Sequence, residues 1–91
     1  MARTTGTASV ADLIGAGVLR RGEKLVVRRR SARPIEATVV ADGTITVDGM
    51  SFSTPSRAAK HALAVGSVDG WLRWRVPRLG DRSLAELREN L

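Results

Sequence analysis

Apolar residues recur along this chain in two rhythms, one of helical spacing and one of strict alternation. Val10, Leu13, Ile14 and Gly17 follow helical spacing behind Ser9-Val10-Ala11-Asp12, a side-chain acceptor followed three residues later by an acid. The pattern predicts a short helix over about residues 10–16, stopped at Gly17. Leu25-Val26-Val27-Arg28-Arg29 reads as a strand with Leu25 and Val27 on one face, and Ser31-Ala32-Arg33-Pro34 as the turn that follows. Ile35 to Val40 alternates, with Ile35, Ala37 and Val39 opposite Glu36 and Thr38. Asp42-Gly43 and Asp48-Gly49 then punctuate two more short strands, Thr44–Val47 and one around Met50 and Phe52, which predicts a tight antiparallel meander.

Thr54-Pro55 opens the next helical pattern with an N-cap residue and proline in the first turn. Ala58, Ala59, Ala62 and Leu63 form its apolar stripe, and Gly66 is its expected end. Trp71 to Val76 alternates again and predicts a last strand, with Leu72, Trp74 and Val76 on one face and Trp71, Arg73 and Arg75 on the other. Ser83-Leu84-Ala85-Glu86 is a second capping box, starting a C-terminal helix with Leu84 and Leu87 inward and Leu91 a candidate third. The order α-β-β-β-β-α-β-α predicts a small α+β fold, an antiparallel meander sheet with helices packed on it. Residues 1–8 read as a disordered lead-in and residues 9–91 as one domain.

Composition narrows the chemistry. The chain of 91 residues has no cysteine and one histidine, His61, which removes thiolate nucleophiles, thiolate metal sites and multi-histidine centres. Neither phosphate-cradling glycine pattern occurs, no acid stands at a telling spacing from His61, and Asp42, Asp48 and Asp69 all precede glycine as turn formers. The expectation is a protein without catalytic residues, metal or cofactor. No apolar run approaches a membrane span and no secretory leader is apparent, so a cytoplasmic, nucleoid-associated protein is expected.

The net charge is +6 and it is unevenly placed. Residues 20–33 alone carry seven basic residues against one Glu. Thirteen of the fifteen basic residues are arginine, whose planar fork pairs with phosphate or a guanine edge. Such an excess points to a polyanion, most often nucleic acid. Arg28, Arg30 and Arg33 form one candidate phosphate track. Ser53 and Ser56 at a helix start, extended by Arg57 and Lys60, form another. Of the three aromatic residues, two lie in Gly70-Trp71-Leu72-Arg73-Trp74-Arg75. Trp74 is the expected core anchor. The pattern leaves two places for Trp71: packed between sheet and helix, or on the surface beside Arg73 and Arg75, where an indole can stack on a base.

An ordered set of pieces resembles the RAMA family, the restriction-enzyme- and adenine-methylase-associated domains. These are Asp12-Leu13-Ile14 with Ala16-Gly17; Gly22-Glu23-Lys24-Leu25; Ala37-Thr38-Val39 with Asp42-Gly43; Ser53-Thr54-Pro55-Ser56 with Ala58-Ala59; and Gly70-Trp71 with Trp74. The last two are the most specific, and the resemblance covers residues 9 to 88. The family often shows Asn where this chain has Asp69. The resemblance implies a non-catalytic module that binds duplex DNA in the setting of adenine methylation or restriction. For some relatives it implies recognition of N6-methyladenine. A separate methyltransferase or nuclease is the implied protein partner. An adaptor that recruits such an enzyme, or an RNA-associated basic protein, would share the same composition.

Overall fold

A computed structural model describes residues 8–91. The expected lead-in, residues 1–7 of it, lies outside the described residues. Helix α1 (Val10–Gly15) starts as its capping box dictates: the Ser9 hydroxyl accepts from the Asp12 N–H at 3.2 Å, and the Asp12 carboxylate accepts from the Ser9 N–H at 2.8 Å. Gly17, at φ 78°, turns the chain out of the helix as expected.

Six strands form one antiparallel sheet in the order β4-β3-β2-β1-β5-β6. They are β1 (Lys24–Arg29), β2 (Ala32–Val39), β3 (Ile45–Val47), β4 (Met50–Phe52), β5 (Arg75–Val76) and β6 (Arg82–Ser83). Both Asp-Gly pairs make the turns predicted for them. Asp48 and Gly49, at φ 53° and 77°, are the two central residues of a hairpin that needs positive φ at both. Asp42 accepts from the N–H and hydroxyl of Thr44 at 2.9 and 2.7 Å, closing the longer loop.

The first hairpin differs from expectation. Its turn is Arg30-Ser31, and β2 already begins at Ala32. Three steps along β2 span two along β1 between the pairs Val27↔Ile35 and Arg29↔Ala32, so β2 carries an extra residue there. Pro34 lies in that bulge, where a missing ladder N–H costs little. The Arg29 guanidinium donates two hydrogen bonds, 2.9 and 2.6 Å, to the Arg33 carbonyl that the bulge exposes. Turn residues here mark a bulge inside a strand.

Leu25, Val27, Ala37, Val39, Ile45 and Val47 point to one face and are buried with Val10, Leu13, Ala58, Ala59, Trp74, Leu84 and Leu87. That face packs the helices. The other carries Lys24, Arg28, Glu36 and Thr38, all exposed, as the alternation predicts. Helix α2 (Pro55–Leu63) starts at the expected cap, Thr54, whose hydroxyl accepts from the Arg57 N–H at 3.2 Å. It ends at Leu63, not Gly66: Ala64 takes the left-handed conformation, φ 55°, and the Val65 N–H returns to the Lys60 carbonyl at 3.2 Å.

Residues 70–74 depart furthest from the sequence reading. Gly70–Arg73 is one helical turn, α3, and only Arg75–Val76 joins the sheet. Asp69 caps that turn, its carboxylate accepting from the Trp71 N–H at 3.0 Å. Leu72 is consequently 55% exposed, outside the core face the alternation gave it. Trp74 is fully buried, as expected. After a 3-10 turn (Pro77–Leu79), α4 (Leu84–Glu89) closes the chain behind its capping box, with Leu84 and Leu87 buried. Leu91 is half-exposed and outside the core, because α4 ends before it.

Candidate nucleic-acid interface

The two motifs richest in candidate residues turn out to be joined. The Trp74 indole N–H donates to the Pro55 carbonyl at 2.9 Å, in a buried position. The Gly70 N–H donates to the Ser56 hydroxyl at 3.0 Å. A Cβ on Gly70 would overlap the Pro55 carbonyl and the Ser56 nitrogen, so the starts of α2 and α3 are in backbone contact. Ser56 thus has a structural partner beside any ligand role. Ser53 and Arg57 are exposed around the same helix start, and Lys60 is exposed in the last turn of α2.

Arg28, Arg73 and Arg75 converge. With Leu72 and Asp81 they line a shallow cleft of about 320 Å³ on the open side of the sheet. Three elements build it. Strand β1 supplies Arg28, the exposed turn α3 supplies Leu72 and Arg73, and β5 supplies Arg75, which pairs across from Val26. Asp81 is the hub. Its carboxylate accepts from Arg28 Nε at 3.1 Å and Arg28 Nη2 at 2.7 Å, and its backbone carbonyl accepts from Arg75 Nη1 at 3.4 Å. Arg75 Nη1 also lies 4.0 Å from the Glu86 carboxylate. The Arg28 hydrogen bonds hold the Asp81 carboxyl below the usual aspartate range, and Asp81 in turn holds the Arg28 guanidinium in its charged form.

Arg30 and Arg33 stand exposed at the tip of the β1–β2 hairpin, beyond Arg28 on the same ribbon. Trp71 lies between its two expected places. It is half-buried against the core, with the Arg88 guanidinium 3.8 Å from its ring centroid, and it does not line the cleft. Arg73 and Arg75 therefore share the cleft with Arg28 and Leu72 in place of Trp71.

Sequence reasoning missed Asp81, which meets Arg28 across 53 residues, and it missed the exposure of Leu72. A usable signal for the turn was present: Asp69 before Gly70 is an N-cap. His61 does meet an acid, Asp48 Oδ2 at 3.3 Å, and tilts against Phe52 with ring centroids 5.2 Å apart. No helix among the described residues is long and apolar enough to cross a membrane.

The family model described as Restriction Enzyme Adenine Methylase Associated, RAMA, matches residues 1–91, the whole chain. The chain belongs to the RAMA family. A comparison with curated proteins yields no match. The family's own description places RAMA domains with restriction enzymes and adenine methylases, as an associated module. In this RAMA domain Ser56, Gly70 and Trp74 each take part in the α2–α3 joint. This RAMA domain caps α3 with a side-chain oxygen of Asp69, a role that Asp and Asn fill alike.

Proposed function

We propose that this RAMA domain is a non-catalytic module that binds duplex DNA, in the setting of adenine methylation or restriction. The observation that carries the reading is that Arg28 meets Arg73 and Arg75, distant from it in sequence, in one open cleft. Clustered guanidinium groups in a concave surface engage phosphate oxygens, and phosphate contacts set affinity and orientation on a duplex. The hairpin tip, Arg30 and Arg33, extends that track. Arg57 and Lys60, with Ser53 and Ser56 at the start of α2, supply further contacts to the backbone. Trp71 acts from beneath Arg88, holding the turn that presents Arg73. The same reading places the domain on the nucleoid, beside a methyltransferase or nuclease that acts on the DNA it holds.

Fluorescence anisotropy with matched duplexes, plain and N6-methyladenine-containing, tests this across a salt series. The expected result is binding that weakens steeply with salt. Replacing Arg28, Arg30 and Arg33 together by Ala should flatten the log–log salt slope by about 2 to 3, at roughly 0.9 per lost phosphate contact. Unchanged affinity and slope would remove these residues from the interface. A difference between the two duplexes would add modification reading to the role. Absence of binding at low salt would leave an adaptor function, seen as a protein partner retained after nuclease treatment and high salt.

A further inference from the structure

We infer that the Asp81 carboxylate is a resident surrogate for a DNA phosphodiester, occupying the arginine cleft until a phosphate displaces it. The inference rests on the DNA-binding reading above and names what the cleft takes. A carboxylate and a phosphodiester share a decisive likeness: each presents two oxygens and one negative charge to the fork of a guanidinium. Asp81 uses both oxygens on Arg28, at 2.7 and 3.1 Å, in the bidentate geometry a phosphate would adopt. The same residue reaches Arg75 through its carbonyl. One acid thus organises two of the three cleft arginines, and Arg73 completes the lining.

The backbone is bent to put it there. Gly80 and Asp81 follow each other in the left-handed region, at φ 73° and 65°. That conformation is unfavourable for most residues and tolerated chiefly by Gly, Asn and Asp. The Asp81 N–H is held by the Val76 carbonyl at 3.0 Å, which fixes the reversal between β5 and β6. The pair is also open to exchange. The side chains of Arg28 and Asp81 are 55% and 40% exposed, so an incoming anion reaches the guanidinium without unfolding anything. Exposed pairs of this kind are weak enough to be displaced by a polyanion. The surrogate holds the Arg28 guanidinium in place in the free protein. It also taxes binding to a phosphate that takes the same Nε–Nη2 edge, because Arg28 must turn that edge from Asp81 to take it.

The test is a mutant cycle in the full chain, read by anisotropy with a fluorescein-labelled plain duplex at low and moderate salt. Asp81→Asn keeps the left-handed preference and removes the charge. It should tighten binding about threefold to fivefold, on the scale of one exposed ion pair. Arg28→Ala should cut that gain, in the double variant, to the size of a net-charge change alone. Glu89→Gln, which removes an exposed acid that does not line the cleft, controls for net charge. Its smaller gain should survive Arg28→Ala. In the unmodified protein, the Arg28 Nε–H resonance should shift as duplex is added, which requires no variant to fold. A gain for Asp81→Asn no larger than for Glu89→Gln, or one that keeps its full size without Arg28, overturns the surrogate while leaving DNA binding standing. Weaker binding by Asp81→Asn would also overturn it, since Asp81 would then only position Arg28. If no form binds duplex at low salt, the DNA reading itself fails.

Discussion

Glu23 shows how one residue ties distant chain segments together. Its side chain is only 5% exposed. The carboxylate accepts from Arg78 Nε at 3.0 and 3.1 Å, from Arg78 Nη2 at 2.6 Å and from the Arg20 N–H at 3.2 Å. Arg78 also donates to the Val18 carbonyl at 3.2 Å, so the pair locks the loop before β1 to the 3-10 turn. The Arg78 hydrogen bonds lower the Glu23 carboxyl below the ordinary range, against the opposing push of burial. A carboxyl lowered in the folded state stabilises above its unfolded value, near pH 4.3, and that stability is lost as pH falls through the folded value. Glu23→Gln should therefore cost about 2 kcal/mol at pH 7, near 10 °C in Tm. The variant should also lose less Tm than the parent between pH 5 and 3. Some acid sensitivity remains in it, because Thr44 lowers Asp42 and Arg28 lowers Asp81. Thermal melts of both proteins across that range check the sign. An equal acid response in the two would show that Glu23 gains nothing from Arg78. The sequence placed Glu23 in the piece Gly22-Glu23-Lys24-Leu25 but carried no sign of its partner, 55 positions away.

At the scale of elements, the joint between α2 and α3 is the feature most open to a decisive substitution. Gly70→Ala places a Cβ against the Pro55 carbonyl, where only backbone can yield. The result should be a loss of at least about 3 kcal/mol, the cost of overpacking plus the strained or broken Gly70–Ser56 and Trp74–Pro55 bonds. Urea unfolding followed by tryptophan fluorescence reports it directly, since Trp74 sits at the joint. A stability within about 0.5 kcal/mol of the parent, the ordinary range of a surface change, would mean the two helix starts are not in contact. The same region shows where sequence legibility ends. The hairpins at Asp42-Gly43 and Asp48-Gly49, the two capping boxes and the Thr54-Pro55 helix start are local devices, readable because neighbouring residues satisfy each other. Trp71–Val76 alternates as well as any strand, yet its first residues coil. The Asp69 cap and the backbone contact at Gly70 outweigh the alternation. The arginines of the cleft were readable as Arg28 on one segment and the pair Arg73 and Arg75 on another. Their convergence was not, because it depends on β5 lying beside β1, with β6 as its outer neighbour.

For the whole molecule the governing quantity is charge. A net +6 on 91 residues is self-repulsion, and the fold concentrates it. Arg30 and Arg33 crowd the hairpin tip, and Arg28, Arg73 and Arg75 share one cleft, whereas Arg78 is neutralised by Glu23. At about 0.01 M salt the screening length is near 30 Å, comparable with the molecule, so these charges oppose folding together. Raising salt to about 0.15 M shortens it to near 8 Å and should raise the Tm of the free protein by a few degrees. A polyanion that binds the folded surface stabilises by mass action, so a short duplex should raise Tm more than salt does. In the presence of duplex the effect of salt then reverses: added salt releases the DNA and Tm falls toward the free value. The pair of melts, with and without duplex over one salt series, separates a solubilising charge excess from a binding surface. Parallel curves, both rising with salt, would mean that the basic surface merely keeps the domain dispersed. Curves that converge from opposite sides require the native arrangement of arginines to hold a polyanion.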